Sequence, residues 1–235
     1  MKTGFESVSR WVAFLGASTF GILIADGLGT PLKENLDLPF DALGGEEEEE
    51  EAPEVVTFYN LNLEAEGFFY VIDKSGSMDG TELPRAKQEV IRNVREFSER
   101  VLFGVVFFDK EVETYPVTCQ PVRADAGAKQ GAIAWVEGAV GGQRGSCCKQ
   151  GILAGLKMAN LAQPRRKVLT YLGDGGGHCP GSRDLMGYYK DALAEIKAAN
   201  SQSVKINAVG VAVLDEGEVF LRQLTAQNGG TYTRI

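Results

Sequence analysis

From residue 55 onward the apolar and polar positions of the chain follow two alternating periods. Residues 68–72 (FFYVI) are a continuous apolar run of aromatic and β-branched side chains, the pattern of a strand buried on both faces. Residues 102–109 (LFGVVFFD), 167–172 (KVLTYL) and 204–213 (VKINAVGVAV) repeat it. Between these runs the period lengthens. Ala86, Val90, Ile91, Val94 and Phe97 share one helical face, with Pro84 near the helix start, where its missing N–H costs little. Further helices are expected over 126–140, with Ile133, Val136 and Val140 inward, and over 147–160, 185–199 and 219–228. Residues 111–118 read as a hairpin edge strand and 231–235 as a short closing strand. Strands alternating with helices predict an α/β fold, a doubly wound and mostly parallel sheet with helices on both faces.

The first part of the chain differs. Residues 11–25 (WVAFLGASTFGILIA) are uncharged and mostly apolar, preceded by Lys2 and Arg10. The run is shorter than the ~20 residues of a spanning helix and matches the core of a secretory signal. Residues 1–27 are therefore expected to be a signal sequence, or a retained membrane anchor. A buried N-terminal helix is the plain alternative. Residues 28–54 hold prolines, glycines and six consecutive glutamates, which repel and stay solvated, so this stretch reads as an acidic disordered linker. Residues 55–235 form the folded domain. The expected location is extracytoplasmic, secreted or membrane-anchored, with membrane contact only through that N-terminal segment.

Composition removes one class of function. The formal net charge is −8, and without the Glu46–Glu51 run it would be −2, so the folded part is close to neutral and nucleic acid is not an expected partner. The chain also lacks a phosphate-binding Gly-x-x-x-x-Gly-Lys-Ser/Thr loop and a Gly-x-Ser-x-Gly nucleophile elbow. The glycine cluster at residues 173–177 does not spell a dinucleotide fingerprint, because His178 stands at the final glycine position.

Candidate chemistry lies where the first apolar strand ends. Asp73-Lys74-Ser75-Gly76-Ser77 places a carboxylate and two hydroxyls at alternate positions, with Gly76 and Gly80 permitting a tight turn before a helix. Three hard oxygen donors on such a loop suit Mg²⁺ or Ca²⁺. In open α/β sheets, ligands bind outside the carboxyl ends of the strands.

Asp73, Ser75, Ser77 and the following Met78 resemble the first metal-site loop of the von Willebrand factor A domain family, Asp-x-Ser-x-Ser. The resemblance extends over about residues 55–235. Counting back from Gly151-Ile152, Ser146 takes the place of the threonine that opens a later helix in the family, although a plain helix N-cap is its other role. Asp174-Gly175 after VLTYLG matches the third loop, with Gly173 where the family commonly has threonine. The resemblance implies that Ser75, Ser77 and Ser146 ligate an ion directly and that Asp73 and Asp174 act directly or through water. The ion is expected to be Mg²⁺, with Mn²⁺ or Ca²⁺ as alternatives. It further implies an open coordination position for an acidic residue of a protein partner, hence non-catalytic, metal-dependent adhesion. A metal-assisted or serine hydrolase on the same loops remains open, with His178, near Asp174 in sequence, as a base that could approach Ser75 or Ser77. So does a metal-independent interaction domain with a vestigial site.

Cys119, Cys147, Cys148 and Cys179 are an even set in a chain that reads as exported. Cys147 and Cys148 follow Ser146, and Cys179 follows Asp174. If both loops border one metal site, one of the adjacent pair lies near Cys179, and the expected bridge is Cys148–Cys179. A second bridge between Cys119 and Cys147, a zinc cluster of Cys147, Cys148, His178 and Cys179, and buried reduced thiols are the alternatives.

Overall fold

The computed structural model describes residues 52–142, 145–177, 179–182 and 184–235. The expected signal or anchor segment and almost all of the acidic linker lie outside the described residues. Among the described residues, no helix is long and apolar enough to cross a membrane.

The first two strands, β1 (Glu54–Phe58) and β2 (Leu61–Ala65), form an antiparallel hairpin. Its alternating side chains bury Val56, Phe58, Leu63 and Ala65. Tyr59 and Asn60 close it with φ of 45° and 64°. Two successive positive φ values define the mirror-image turn that suits strand twist. That turn is usually marked by glycine, and its absence here hides the hairpin from a reading of the sequence.

β3 (Gly67–Asp73) is buried along its whole length. It is the axis of a second sheet, lying parallel between β4 (Leu102–Phe108) and β7 (Lys167–Gly173). The strand order is β5-β4-β3-β7-β8-β9, with β5 (Val112–Tyr115) and β6 (Val122–Arg123) antiparallel on the edge of β4. β8 (Lys205–Gly210) and β9 (Tyr232–Arg234) extend the parallel part beyond β7. The chain moves outward from β3 to β4, then returns to β7 on the opposite side. That reversal makes the carboxyl ends of β3 and β7 a topological switch point.

Parity of β3 assigns the layers. Phe68, Tyr70 and Ile72 pack with α1 (Glu82–Glu96), α2 (Ala126–Gly138) and the hairpin. Phe69 and Val71 pack with α3 (Cys148–Leu161), α4 (Leu185–Ala199) and α5 (Asp215–Gln227). Helix α3 lies against the sheet through glycine: a Cβ on Gly155 would meet Val71 Cγ2 at 2.6 Å and Leu169 Cδ1 at 2.9 Å.

Two helix boundaries differ from expectation by more than one residue. Helix α2 ends at Gly138, because Ala139 is already extended (ψ 129°), and Val140 is 77% exposed rather than inward. Helix α5 begins at Asp215, four positions before the expected start at 219, with Asp215, Glu216 and Glu218 in its first turn. Acidic side chains favour a helix N-terminus through its dipole, whereas an apolar periodicity registers only from Val219.

Candidate metal centre

Two of the three loops begin where a fully buried strand stops, and the other precedes helix α3. β3 ends at Asp73, which is buried and held by short-range geometry: its Oδ1 accepts the Ser75 backbone N–H at 2.7 Å. The Ser75 and Ser77 hydroxyls stand 3.0 Å apart, with Ser75 buried and Ser77 exposed. The chain then makes a single 3₁₀ turn, Gly76–Met78, which buries Met78 as a plug under the loop.

The loop before α3 is tied to the strand ends by its backbone. Gly142 N–H donates to Lys74 O at 3.1 Å, and Cys147 N–H donates to Asp109 O at 2.7 Å. Ser146, also buried, donates its hydroxyl to Asp73 Oδ2 at 2.9 Å across 73 residues of sequence. The helix starts at Cys148, with Cys147 in the cap position. Ser146 therefore spends its hydroxyl on Asp73 and is not the N-cap.

The third loop leaves β7 at Gly173, directly beside Asp73. A Cβ on Gly173 would stand 2.6 Å from the Asp73 Cβ, so the absence of a side chain there is a packing requirement. Asp174 follows, half-buried, with its Oδ1 accepting Gly176 N–H at 2.6 Å. Behind this loop Tyr189 donates to Gly175 O at 2.6 Å and stacks on Phe220 of α5 at 4.7 Å between ring centroids. Asp73, Ser75, Ser77 and Ser146 are thus joined by hydrogen bonds, and Asp174 lies near enough to act electrostatically on Asp73.

The electrostatics of Asp73 are unusual. Its hydrogen-bond donors are neutral, the Ser75 amide and the Ser146 hydroxyl. Burial pushes its pKa up to about 7; the Asp174 charge adds to this, while the bonds from Ser75 and Ser146 oppose it. The neighbouring lysine does not relieve it. Lys74 Nζ pairs instead with Glu113 at 2.7 Å and Asp109 at 3.6 Å, clamping the first loop to β4 and β5. Among the described residues, then, Asp73 is a buried carboxylate with no cation bonded to it. This ion cluster escaped the sequence reading; Lys74 between two buried elements was its one signal.

The donor set fits a hard divalent cation: two carboxylates and three hydroxyls, all oxygen. Among the described residues, no group of three or more His, Cys, Asp or Glu side chains offers a competing site. His178, named for the hydrolase and zinc readings, lies outside the described residues.

The cysteines correct one expectation. Cys147, not Cys148, is bridged to Cys179, with Cα atoms 4.5 Å apart, and Cys119 and Cys148 are free. Cys148 is the first helical residue of α3 and belongs to its buried stripe with Gly151, Ile152 and Gly155, facing the sheet. Cys147, one position earlier and outside the helix, points to the third loop. Its bridge consumes two of the thiols that the zinc reading requires and the one needed for a Cys119–Cys147 bridge. Burial pushes the Cys148 thiol up to about 12, so it stays protonated.

The family profile described as von Willebrand factor type A domain matches residues 69–234, more than half of the chain. The chain belongs to that family. No protein of curated function matches the sequence significantly. Among solved structures, a von Willebrand factor type A protein from Catenulispora acidiphila is similar with TM-score 0.62 and 21% identity, covering 74% of this chain and 39% of that one. The pilus adhesin SpaC of Lactobacillus rhamnosus GG, in its open conformation, gives 0.58 and 16%, covering 74% and 28%. The PilB minor pilin of Streptococcus sanguinis gives 0.56 and 15%, covering 72% and 56%. The chain spans less than two thirds of the length of each, and at these identities the likeness is one of fold.

Proposed function

We propose that this domain is a metal-dependent protein-binding module, in which Asp73, Ser75, Ser77, Ser146 and Asp174 hold Mg²⁺, or Mn²⁺ or Ca²⁺ in its place. The observation that carries the reading is Asp73: a buried carboxylate, hydrogen-bonded to Ser146 from another loop, with only neutral donors around it. A buried charge without a countercharge is costly, and a divalent cation in this oxygen cluster would remove the cost. When bound, the ion offers a Lewis-acidic position to an outside carboxylate. The chain's own residues do the rest: they fix the donors at the sheet's switch point and leave Ser77 and the loop tips open to a partner.

The partner expected is a protein presenting an acidic side chain, and the role is adhesion or assembly rather than catalysis. The pilus adhesin and minor pilin that share the fold accord with this, as does the Cys147–Cys179 bridge, which suits an oxidising, extracytoplasmic setting. We place residues 1–27 as signal or anchor, 28–54 as tether and 55–235 as the binding domain. The test is calorimetric titration of MgCl₂, MnCl₂ and CaCl₂ into the chain and its Asp73→Ala variant. Partner binding that persists in the variant would move the interaction surface away from these loops.

A further inference from the structure

One hydroxyl beside the cluster is buried and unbonded. Tyr171 lies on β7 at the same parity as Gly173, and its register partner on β3 is Val71, two residues before Asp73. Tyr171, Gly173, Val71 and Asp73 therefore all lie on the α3 side of the sheet. Tyr171 is fully buried, and among the described residues its hydroxyl has no hydrogen-bond partner. A Cβ on Gly173 would stand 2.8 Å from this hydroxyl, 2.6 Å from Asp73 Cβ and 3.2 Å from Asp73 Oδ2. The phenol oxygen and Asp73 Oδ2 thus border the same space above Gly173. Burial, then the Asp73 charge, hold its pKa well above the ordinary tyrosine value, which keeps it a donor.

We propose that Tyr171 is a positioning residue of the metal centre, its phenol donating a hydrogen bond to the Asp73 carboxylate in the ion-bound state. This rests on the metal-binding reading above. The unbonded hydroxyl destabilises the metal-free domain, because a buried donor without an acceptor loses its water for nothing. A carboxylate held in place by the ion presents a charged acceptor to that donor. Tyr171 would then anchor the carboxylate from behind while the hydroxyls of Ser75, Ser77 and Ser146 face the ion.

The test removes one atom. MnCl₂ is titrated calorimetrically into the full chain, Tyr171→Phe and Tyr232→Phe, and each protein is melted in EDTA. Tyr232 also carries a buried, unbonded hydroxyl, but on β9, away from the cluster. The expected result is a Kd about tenfold weaker for Tyr171→Phe, the worth of one hydrogen bond to a charged group, with Tyr232→Phe unchanged. The metal-free melting temperature of Tyr171→Phe should equal or exceed that of the parent. A purely structural tyrosine would do the reverse, lowering the metal-free melt and leaving the Kd alone, which overturns the proposal. Equal weakening in Tyr232→Phe would overturn it too. If the parent binds and Tyr171→Phe binds equally, this inference falls and the metal site stands; if the parent does not bind, both fall.

Discussion

Replacing Cys147 and Cys179 together by serine tests how the second and third loops are held. The bridge spans a sequence separation of 32 and joins the N-terminus of α3 to the loop after β7. In the chain-entropy account, closing a loop of that length restricts the unfolded chain by ~3.7 kcal/mol at 25 °C. The Cys147 end is anchored in the native state by its N–H bond to Asp109 O, so little native order should be lost there to offset this. The variant should lose about 3–4 kcal/mol of unfolding free energy, or about 7–15 °C in Tm for a domain of this size. Urea denaturation in EDTA, followed by Trp135 against Phe107 (ring centroids 5.2 Å apart), reads the loss directly. A Cys148→Ala change leaves the bridge intact and should cost only the packing of a buried thiol. A loss below about 1 kcal/mol for the double serine variant, or a larger effect on the bridge from Cys148→Ala, would refute this account.

Two other outcomes follow from the site and its packing. Asp73 has a folded pKa of about 7 against an ordinary 3.8, so the metal-free fold binds more protons than the unfolded chain between those values. Its contribution makes stability fall as pH rises from about 4 to about 7, by about 4 kcal/mol in all, and stay flat above. The difference between parent and Asp73→Asn in denaturant melts in EDTA should change by about 2–3 kcal/mol between pH 5 and pH 8, and a difference that does not change would contradict the assignment. Gly155→Ala should destabilise by about 1–2 kcal/mol, since overpacking against Val71 and Leu169 outweighs the helix-propensity gain of alanine, and an unchanged urea midpoint would count against the close packing of α3.

The parallel sheet was legible in the sequence because strands buried on both faces leave runs such as 68–72 that no other element imitates. Two of the loops that the structure gathers at the switch point were legible for a related reason, since those carrying Asp73 and Asp174 start at the abrupt ends of such runs, whereas Ser146 follows helix α2 and was reached only through the family resemblance. What escaped depended on one-residue offsets or on contacts between distant segments. Whether Cys147 or Cys148 faces the third loop turns on where α3 begins, and helix ends are the least determined feature of an apolar pattern. The Tyr59-Asn60 turn uses no glycine, so the first hairpin did not announce itself. The Lys74–Asp109–Glu113 cluster and the unbonded Tyr171 hydroxyl arise from β3, β4, β5 and β7 lying side by side, which composition cannot convey.

The most direct test of the central claim is calorimetric titration of Mg²⁺, Mn²⁺ and Ca²⁺ into the chain beside its Asp73→Ala variant at pH 8, where Asp73 is ionised. Saturable binding of one ion per chain, abolished in the variant, is the expected result. Binding that the variant retains in full, or none by the parent protein, would contradict it.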